Sequence, residues 1–387
     1  MKALQYNAEW KPKEGYPLSQ REIEDKRAMR GNLVFRNPSL QLTDIPLRDL
    51  EPGEALLKVG ACGVCGSDTL FLGQDESGYT HYSSHCRFPV VIGHEFSGEV
   101  VEVNKTYDLK VGDLVTGENM YWCGSCRACK RGLFNQCERL EEIGFTLNGA
   151  FAEYIIVRER NSYKLNSLSE RYGSKRDILR VGCLIEPFAV VYNGMMLRAG
   201  GFQPGGHVLV YGCGPIGLAA IALARVSGAS HIFAFDLVES RLKMAREFGA
   251  DHAYNPLKLD GASPHEVVME YTNGDGVALA VECTEKHRVT IPEIEKSLAM
   301  GGKVVQIGIS ADNTDLSSSA FQKKGASYFG SNGNVGGGFP NIINLLAAGR
   351  LEIQNLISNS FSLDDAIKAI ETSKQGSGGK VIVEPWE

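Results

Sequence analysis

The stretch VLVYGCGPIGLAA, from Val208 to Ala220, decides how the second half of the chain folds. Its start has the β-branched and aromatic residues of a buried strand, and its alanine-rich end is typical of a helix. The three glycines between them have G-x-G-x-x-G spacing: the first permits a tight turn, the second lets the backbone approach a pyrophosphate, and the third lets helix and strand pack closely. Since a helix N-terminus attracts anions, we expect a dinucleotide to bind at Gly212, Gly214, Pro215, Ile216 and Gly217.

The next predicted strand, HIFAFD, ends at Asp236, near the position where dinucleotide-binding folds carry an acid for the ribose hydroxyls. A carboxylate there would repel the 2′-phosphate of NADP, so NAD is the expected cofactor. Arg241 argues the other way, because arginine can hold that phosphate; we expect it to lie along the adenine or to face solvent. The glycine pattern alone is weak, but the strand, helix and acid around it favour cofactor binding over a glycine-rich turn that binds nothing.

Strand and helix patterns alternate through the second half of the chain. The runs VALAVEC and KVVQIGI predict strands, and IPEIEKSLAM between them predicts a helix. The first half differs, because short β-branched runs such as EALLKVGACGV and AFAEYIIV are broken by glycine and aspartate turns. The expected fold class is therefore α/β, with one β-rich domain and one domain built on a doubly wound parallel sheet.

Length and charge restrict the functional classes. A chain of 387 residues predicts two domains. The formal net charge is -6 without runs of Lys or Arg, so neither nucleic acid nor a membrane surface is an expected partner. The N-terminus lacks the apolar core of a secretory signal, and the best apolar run, Ile216 to Ala224, predicts a packed helix and not a membrane span. We therefore expect a cytoplasmic protein that acts on a small molecule.

Ten cysteines in a chain without secretory features indicate metal binding before disulfides. Four of them lie in CGSCRACKRGLFNQC, and four thiolates close a tetrahedral zinc site that has no open position, which makes such a site structural. The competing interpretation is an iron–sulfur cluster, which this segment fits poorly because its last cysteine comes late and no proline follows. The predicted structural ligands are Cys123, Cys126, Cys129 and Cys137.

A second set of candidate ligands is spread over three motifs. GACGVCGSDTLF contains a C-x-x-C pair that is compatible with a redox dithiol, with part of a zinc site or with coincidence. His94 lies in VIGHEFSG, and Glu186 lies in CLIEPF. Together with Cys65 they would form a Cys/His/Glu set with one open position, the composition of a catalytic zinc site. Asp68 is then suited to orient His94 by a hydrogen bond.

These motifs occur in the order seen in zinc-dependent medium-chain alcohol dehydrogenases, and the sequence resembles that family over nearly its whole length. It is most similar to the polyol branch, which includes sorbitol and threonine dehydrogenases. Within that branch it most resembles bacterial inositol-pathway dehydrogenases of the scyllo-inosose type. This last resemblance rests on the charged N-terminal insert, on YWCGSCRAC and on the lengthened segment GQDESGYTHYSSHCRFP.

The resemblance implies roles for individual residues. Cys65, His94 and Glu186 match the catalytic zinc ligands. Glu95 matches a residue that binds this zinc, or swings onto it, in some members. Ser67 matches the hydroxyl that relays the substrate proton. Asp68 matches an acid that orients the catalytic ligands without binding the zinc itself. The structural zinc ligands are matched by Cys123, Cys126, Cys129 and Cys137.

The resemblance also implies an architecture and a reaction. The fold would be a GroES-like catalytic domain with a Rossmann domain inserted before a C-terminal return. We place the catalytic domain at residues 1–188, with its structural zinc lobe at about 118–140, the Rossmann domain at 189–331 and the return at 332–387. The implied reaction is hydride transfer from a secondary alcohol of a polyol, cyclitol or sugar to NAD, with two zinc ions per chain. A homo-oligomer, either a dimer or a tetramer, is expected.

Two departures from the family bear on mechanism and substrate. Leu70 occupies the position where many members have a histidine that continues the proton path, so the path beyond Ser67 must differ. Sorbitol dehydrogenases carry an arginine and an aromatic residue where this chain has Ser331, Asn332 and Gly333. Small polar residues there argue against sorbitol and favour another hydroxyl-rich substrate.

Three alternatives remain open. A threonine-type dehydrogenase would need a charged anchor for a zwitterion, and the sequence has no clear one. A non-catalytic, zinc-stabilised nucleotide-binding protein is disfavoured by the presence of every candidate ligand together with Ser67. A redox sensor built on Cys62 and Cys65 would depend on Cys62, which the zinc interpretation treats as a buried packing residue.

Overall fold

The computed structural model describes residues 1–310, 313–334, 336–376 and 378–386, and the chain divides into two units. Unit 1 contains Met1–Glu186, Ile353–Gly376 and the C-terminal residues from Lys380. Unit 2 contains Pro187–Glu352 and the short stretch before Lys380. The alternation of strands and helices lies mainly in unit 2, and one further strand–helix–strand segment in the C-terminal return belongs to unit 1.

Unit 1 is built mainly from short strands with few helices. Its helices in the first part of the chain are α1 (Gln20–Asp25), α2 (Gly31–Val34) and α3 (Lys175–Gly182), and α4 (Ile185–Tyr192) leads into unit 2. Its first ten strands are β1 (Lys2–Trp10), β2 (Phe35–Asp44), β3 (Glu54–Gly63), β4 (Val90–Val91), β5 (Glu95–Asn104), β6 (Leu114–Gly117), β7 (Met120–Tyr121), β8 (Glu141–Glu142), β9 (Tyr154–Arg158) and β10 (Ser162–Lys164).

Unit 2 alternates strands and helices. Its strands are β11 (Val208–Tyr211), β12 (Ile232–Phe235), β13 (His252–Tyr254), β14 (Val277–Glu282), β15 (Leu298–Gln306) and β16 (Ser327–Gly330). Its helices after α4 are α5 (Pro215–Val226), α6 (Glu239–Glu247), α7 (Pro264–Tyr271), α8 (His287–Ser297), α9 (Ser318–Lys324) and α10 (Gly338–Ala347). The chain then returns to unit 1 as β17 (Ile357–Phe361), α11 (Ala366–Gln375) and β18 (Lys380–Val383).

The largest sheet of unit 1 gathers strands that are distant in sequence. Its order is β10-β6-β5-β3-β18-β17, and β9 also pairs with β3. The returning strand β18 runs antiparallel to β3, with Val383 opposite Cys62 and Ile382 opposite Gly63. The inward residues of β3, including Leu57, Val59 and Cys62, are completely buried. The C-terminal segment thus completes the sheet that carries Cys62 and the loop after it.

The sheet of unit 2 is parallel, with the order β13-β12-β11-β14-β15-β16. β11 lies between β12 and β14, where the order of strands reverses direction, and such a switch point is where open α/β sheets bind ligands. The four residues of β11 are all buried, as expected for a strand covered on both faces. The α/β class, with a β-rich unit and a doubly wound parallel sheet, is confirmed.

Three details differ from the sequence-based expectations. The proposed start of the C-terminal return, residue 332, is too early, because α10 belongs to unit 2. The cause is close packing: a Cβ atom on Gly338 would lie 2.9 Å from the Cβ of Ala189, and Phe339 and Ile342 are buried. The predicted helix IPEIEKSLAM ends at Ser297, since Leu298 pairs with Val277 in the sheet.

The third difference concerns the longest apolar helical stretch. The 24 residues of Lys175–Arg198 contain α3, a short turn and α4, and this stretch, not Ile216 to Ala224, passes the length and composition test for a membrane span. However, 83% of its most apolar window is buried inside the protein. A helix buried by its own protein passes the same test, so the apolar residues here are accounted for by core packing.

Candidate functional site

Three side chains able to hold a metal converge in unit 1. The ligand atoms of Cys65, His94 and Glu95 all lie within 4.8 Å of one another. The pairing of β3 with β5 brings them together, because Gly63 at the end of β3 lies opposite Glu95 at the start of β5. A Cβ atom on Gly63 would lie 2.2 Å from a carboxylate oxygen of Glu95, so only glycine leaves room for that side chain. The structure thus joins the CGVCGSD and GHE motifs into one site.

Glu95 is held by a residue that the sequence analysis did not select. Lys380 Nζ lies 2.6 Å from Glu95 Oε1 and also donates to the backbone oxygen of Val64 at 3.1 Å. Both side chains are almost completely buried. The sequence contained one signal for this pair, because Lys380 begins the apolar run KVIV and would be buried with it. Lysine is rarely buried unless it is paired, so a partner carboxylate could have been expected.

Several buried polar atoms at this site have no hydrogen-bond partner among the described residues: Ser67 Oγ, Asp68 Oδ1, His94 Nδ1 and Glu95 Oε2. Asp68 Oδ2 accepts from the backbone N–H of Cys65 at 2.8 Å, so Asp68 fixes the loop that carries the cysteine. Its other oxygen is 3.8 Å from His94 Nδ1, which is longer than a hydrogen bond. Buried polar atoms are normally satisfied, so this group fits a site completed by a bound species.

The charges at the site also fit a cation. Burial lowers the pKa of His94, but the negative charges of Cys65, Asp68 and Glu186 outweigh burial and raise the pKa well above its ordinary value. Burial raises the pKa of Asp68 to about 6. A cluster that stabilises positive charge on an imidazole has an excess of negative charge, which a divalent ion would neutralise.

Glu186 occupies a different place from Glu95. It lies in the first turn of α4 and is buried, and its charge acts on both His94 and Lys380. The compact group of ligand atoms nevertheless contains Glu95 and not Glu186. Of the two carboxylates considered from the sequence, the geometry therefore favours Glu95 as the third member beside Cys65 and His94.

The four cysteines of the CGSCRAC segment form a second compact group. Their sulfur atoms all lie within 4.8 Å of one another, with separations of 4.0 Å for Cys123–Cys129 and 3.9 Å for Cys126–Cys137. Zinc–sulfur bonds of about 2.3 Å give a tetrahedral edge of about 3.8 Å. Backbone N–H groups point at the sulfurs, and the hydrogen bond from Ser125 is the main cause that lowers the pKa of Cys123 to about 5. This spacing fits one tetrahedral ion better than a multi-metal cluster.

In unit 2 the glycine-rich turn has the geometry that its motif predicts. Gly212 has φ +86°, and a Cβ atom on Gly217 would lie 1.7 Å from the carbonyl oxygen of Gly212. Gly214 caps α5, and a Cβ atom there would meet nothing within 4 Å. Pro215 is the first residue of α5, a position that does not need its N–H. The turn leaves open space beside a helix N-terminus, where a pyrophosphate would fit. Ile216 follows in the first turn of the helix.

Asp236 lies just after β12 and faces this turn. Its Oδ2 accepts from the N–H of Cys213 at 2.7 Å, and its Oδ1 accepts from the N–H of Val238 at 2.8 Å. Each carboxylate oxygen can accept a second hydrogen bond, so ribose hydroxyls remain possible partners. Arg241 Nη1 is 3.6 Å from Asp236 Oδ2, which places the arginine beside the acid.

Comparison with known families identifies both parts of the chain. Residues 51–167 match the alcohol dehydrogenase GroES-like domain, and residues 215–348 match the zinc-binding dehydrogenase domain. The chain is 38% identical to scyllo-inosose 3-dehydrogenase of Thermotoga maritima, over 97% of this chain and 98% of that protein. It is 30% identical to L-threonine 3-dehydrogenase of Bacillus licheniformis, over 90% of this chain and 96% of that protein.

A solved structure from Thermotoga maritima has the same fold over its whole length. It superposes with a TM-score of 0.94 at 36% sequence identity, covering 99% of both chains. The expected family, fold and enzyme class are thereby confirmed. The protein is a zinc-dependent, nicotinamide-dependent oxidoreductase of secondary alcohols, and the chain belongs to the family of zinc-binding medium-chain alcohol dehydrogenases.

Proposed function

We propose that this enzyme oxidises a ring hydroxyl of a cyclic polyol or an inosose, with NAD as hydride acceptor. The observation that supports it best is the identity of 38% with a scyllo-inosose dehydrogenase along nearly the full length of both proteins. The threonine dehydrogenase of Bacillus licheniformis is less similar, at 30%, and aligns over a smaller share of the chain. The substitution of Ser331, Asn332 and Gly333 for the sorbitol-type residues agrees with a different hydroxyl-rich substrate.

The proposed roles follow from the contacts in unit 1. Cys65, His94 and Glu95 would hold zinc, which supplies Lewis-acid polarisation of the substrate oxygen. Asp68 fixes the Cys65 loop through the backbone N–H of Cys65. Ser67 Oγ, which has no hydrogen-bond partner within the described chain, would accept the substrate proton.

The path of that proton beyond Ser67 avoids Leu70. The Leu70 side chain is 39% exposed and has no group that can titrate. The proton would therefore pass to water or to a ribose hydroxyl of the cofactor. Glu186, near His94 and Lys380, would act as a carboxylate that can exchange with Glu95.

A substrate screen tests the proposed function. Inositols, inososes, alditols, aldoses and L-threonine are each supplied with NAD, and formation of NADH is followed by its absorbance. The expected result is that cyclic polyols or inososes give the highest kcat/KM. A higher value for L-threonine would replace the proposal by the threonine-type alternative, and no turnover in a zinc-loaded protein would favour the non-catalytic alternative.

Metal analysis tests the two proposed zinc sites separately. The wild type should contain two zinc ions per chain, as the two ligand clusters predict. Cys65→Ser should lose the ion needed for turnover and keep the other. Cys126→Ser should lose the structural ion and lower the thermal stability of the lobe. An iron–sulfur absorbance, or Cys62→Ala being inactive while Cys65→Ala is active, would contradict these assignments.

We further propose that the enzyme acts in the cytoplasm as a homo-oligomer, either a dimer or a tetramer. The acidic composition and the family resemblance support this expectation. Light scattering of the purified protein gives the mass directly, and a monomer at micromolar concentration would contradict it.

A further inference from the structure

The lengthened segment between Gly73 and Pro89 is held against the body of unit 1 at several points. Cys86 pairs with Ala28 of the N-terminal insert as an isolated β-bridge, and Tyr79 pairs with Arg36 in the same way. Tyr6 Oη donates to Thr80 Oγ1 at 2.7 Å. The segment is therefore a fixed part of the structure, and its side chains have defined positions.

Aromatic rings connect this segment to His94, the proposed zinc ligand. The ring of Tyr82 stacks on Phe71 at 4.8 Å and on Phe145 at 5.1 Å, and Phe145 lies 4.8 Å from the ring of His94. Phe71 follows Asp68 in the same short helical turn. The Phe145 ring therefore contacts both Tyr82 and His94.

His85, on the same segment as Tyr82, and Glu142, near Phe145 in the sequence, are two further polar side chains in this region. His85 Nε2 is 2.9 Å from Glu142 Oε2, with side-chain exposures of 16% and 9%. The two atoms are close but misaligned, and the buried His85 Nε2 has no hydrogen-bond partner among the described residues. The backbone N–H of Phe145, whose ring stacks on Tyr82, donates to the backbone oxygen of Glu142 at 3.2 Å, so Glu142 belongs to the turn that carries this ring. Burial, followed by the negative charge of Glu142, raises the pKa of Tyr82 well above its ordinary value.

Glu141, the residue before Glu142, already provides ion pairs that hold the lengthened segment in place, so Glu142 is not needed for this. Glu141 already pairs with Arg27 at 3.1 Å and with Arg87 at 2.9 Å. Glu142, one residue further along β8, forms a short charged contact with the misaligned His85, while the charge of Arg27 acts on it from farther away. Its carboxylate therefore keeps acceptor capacity for a ligand.

We propose that Tyr82, His85 and Glu142 recognise the ring hydroxyls of the substrate that do not react. This assignment rests on the proposed function, because it names the groups by which that site would select a cyclic polyol. A carboxylate can accept from two adjacent hydroxyls, a phenol can donate or accept, and an imidazole nitrogen can do either. The aromatic stack holds the Tyr82 ring at a fixed distance from His94. The site would therefore bind the reacting hydroxyl and the other ring hydroxyls at the same time.

Three conservative variants test the assignment: Tyr82→Phe, His85→Gln and Glu142→Gln. Each is titrated with myo-inositol and scyllo-inositol by calorimetry, with zinc-loaded enzyme and without NAD, so that binding is read independently of turnover. Loss of a hydrogen bond to a charged group should weaken binding by roughly tenfold or more for Glu142→Gln, with a smaller loss for Tyr82→Phe. The ratio of kcat/KM for the best cyclic polyol to that for propan-2-ol should fall by a similar factor.

Glu141→Gln is the matched control, because it removes a carboxylate from the same strand without touching the three residues. Its specificity ratio should equal that of the wild type, even if its thermal stability falls. Unchanged dissociation constants in both Tyr82→Phe and Glu142→Gln would overturn this inference. If the wild type still oxidised a cyclic polyol, the proposed function would stand without it. A wild type that neither binds inositols nor oxidises any cyclic polyol would contradict the proposed function itself.

Discussion

Lys380 and Glu95 carry opposite charges in a part of unit 1 from which solvent is almost completely excluded. A buried ion pair contributes little net stability compared with apolar residues, yet removing one partner is costly because the other charge is left uncompensated. The ammonium of Lys380 thus fixes the Glu95 side chain beside Cys65 and His94. The pair belongs to the site as much as to the core.

Lys380→Met should therefore destabilise the protein far more than a surface lysine substitution would. The expected loss is about 3 kcal/mol in the free energy of unfolding, because Glu95 would remain buried without its partner. Urea unfolding measures this loss, with Lys374→Met as the control on exposed surface of the same unit. Equal stability of the two variants would show that the pair is not essential.

Asp236 combines a structural and a selective role. Asp236→Ala should weaken NAD binding and raise the ratio of NADP to NAD activity, because the charge that repels the 2′-phosphate is removed. Asp236→Asn separates the two roles, since its amide oxygen can still accept from Cys213 or Val238. Kinetics with both cofactors provide the measurement, and an unchanged preference in both variants would refute the role of the charge.

At the scale of the element, the turn between β11 and α5 shows two glycines with different tasks. Gly217 allows contact between the helix and the turn, because a Cβ atom would overlap the oxygen of Gly212. Gly214 has ordinary backbone angles and open space around it, so its glycine is required by a ligand and not by the fold.

Gly217→Ala and Gly214→Ala should consequently behave differently. Gly217→Ala should lower the thermal midpoint and abolish cofactor binding, because the helix cannot approach the turn. Gly214→Ala should keep the wild-type midpoint in the absence of cofactor but weaken NADH binding, measured by fluorescence, since the methyl group occupies the approach of the phosphates. Wild-type affinity in Gly214→Ala would contradict this use of the turn.

Elements differed in how well their sequences predicted them. β11, α5 and β12 were predictable because each has a local pattern of buried apolar residues or helical periodicity, bounded by glycine around β11 and α5 and ended by Asp236 after β12. The end of α8 was not, because Leu298 and the residues after it join the sheet only through pairing with Val277 on β14. A helix and a buried strand both have apolar runs, and only the partner strand distinguishes them.

At the scale of the whole molecule, the end of the chain stabilises unit 1. Glu384 pairs with Arg176 at 2.9 Å and with Arg180 at 3.0 Å, both on α3, and accepts from Ser360 on β17. Trp386 Nε1 donates to the backbone oxygen of Val59 at 2.9 Å. The contacts with Arg176, Arg180 and Val59 join segments that the main stretch of unit 2, Pro187–Glu352, separates in sequence.

This network predicts a pH dependence of stability. Burial raises the pKa of Glu384, but hydrogen bonds and charges from Arg176, Ser360 and Arg180 outweigh burial and hold the pKa below its ordinary value. A depressed carboxyl pKa contributes stability above the unfolded pKa of about 4.3, and this contribution disappears as the pH falls through the folded value. Glu384→Gln should therefore lower the unfolding free energy at pH 7, and the difference from wild type should shrink below about pH 4.

Urea unfolding at pH 7 and at several acidic pH values checks this dependence. Glu170→Gln, at an exposed position of the same unit, is the control and should match the wild type throughout. A constant difference between Glu384→Gln and wild type across the acidic range would contradict the sign derived from the lowered pKa.

The family, the α/β class, the glycine-rich turn and the four-cysteine segment could be predicted from the sequence, because each rests on motifs whose residues lie close together in the chain. The tertiary structure decided the rest. It placed Glu95, and not Glu186, in the compact group with Cys65 and His94, and it brought Lys380 to Glu95 from the far end of the chain. Pairing of β3 with both β5 and β18 makes these contacts, and such long-range pairings leave no local pattern to read.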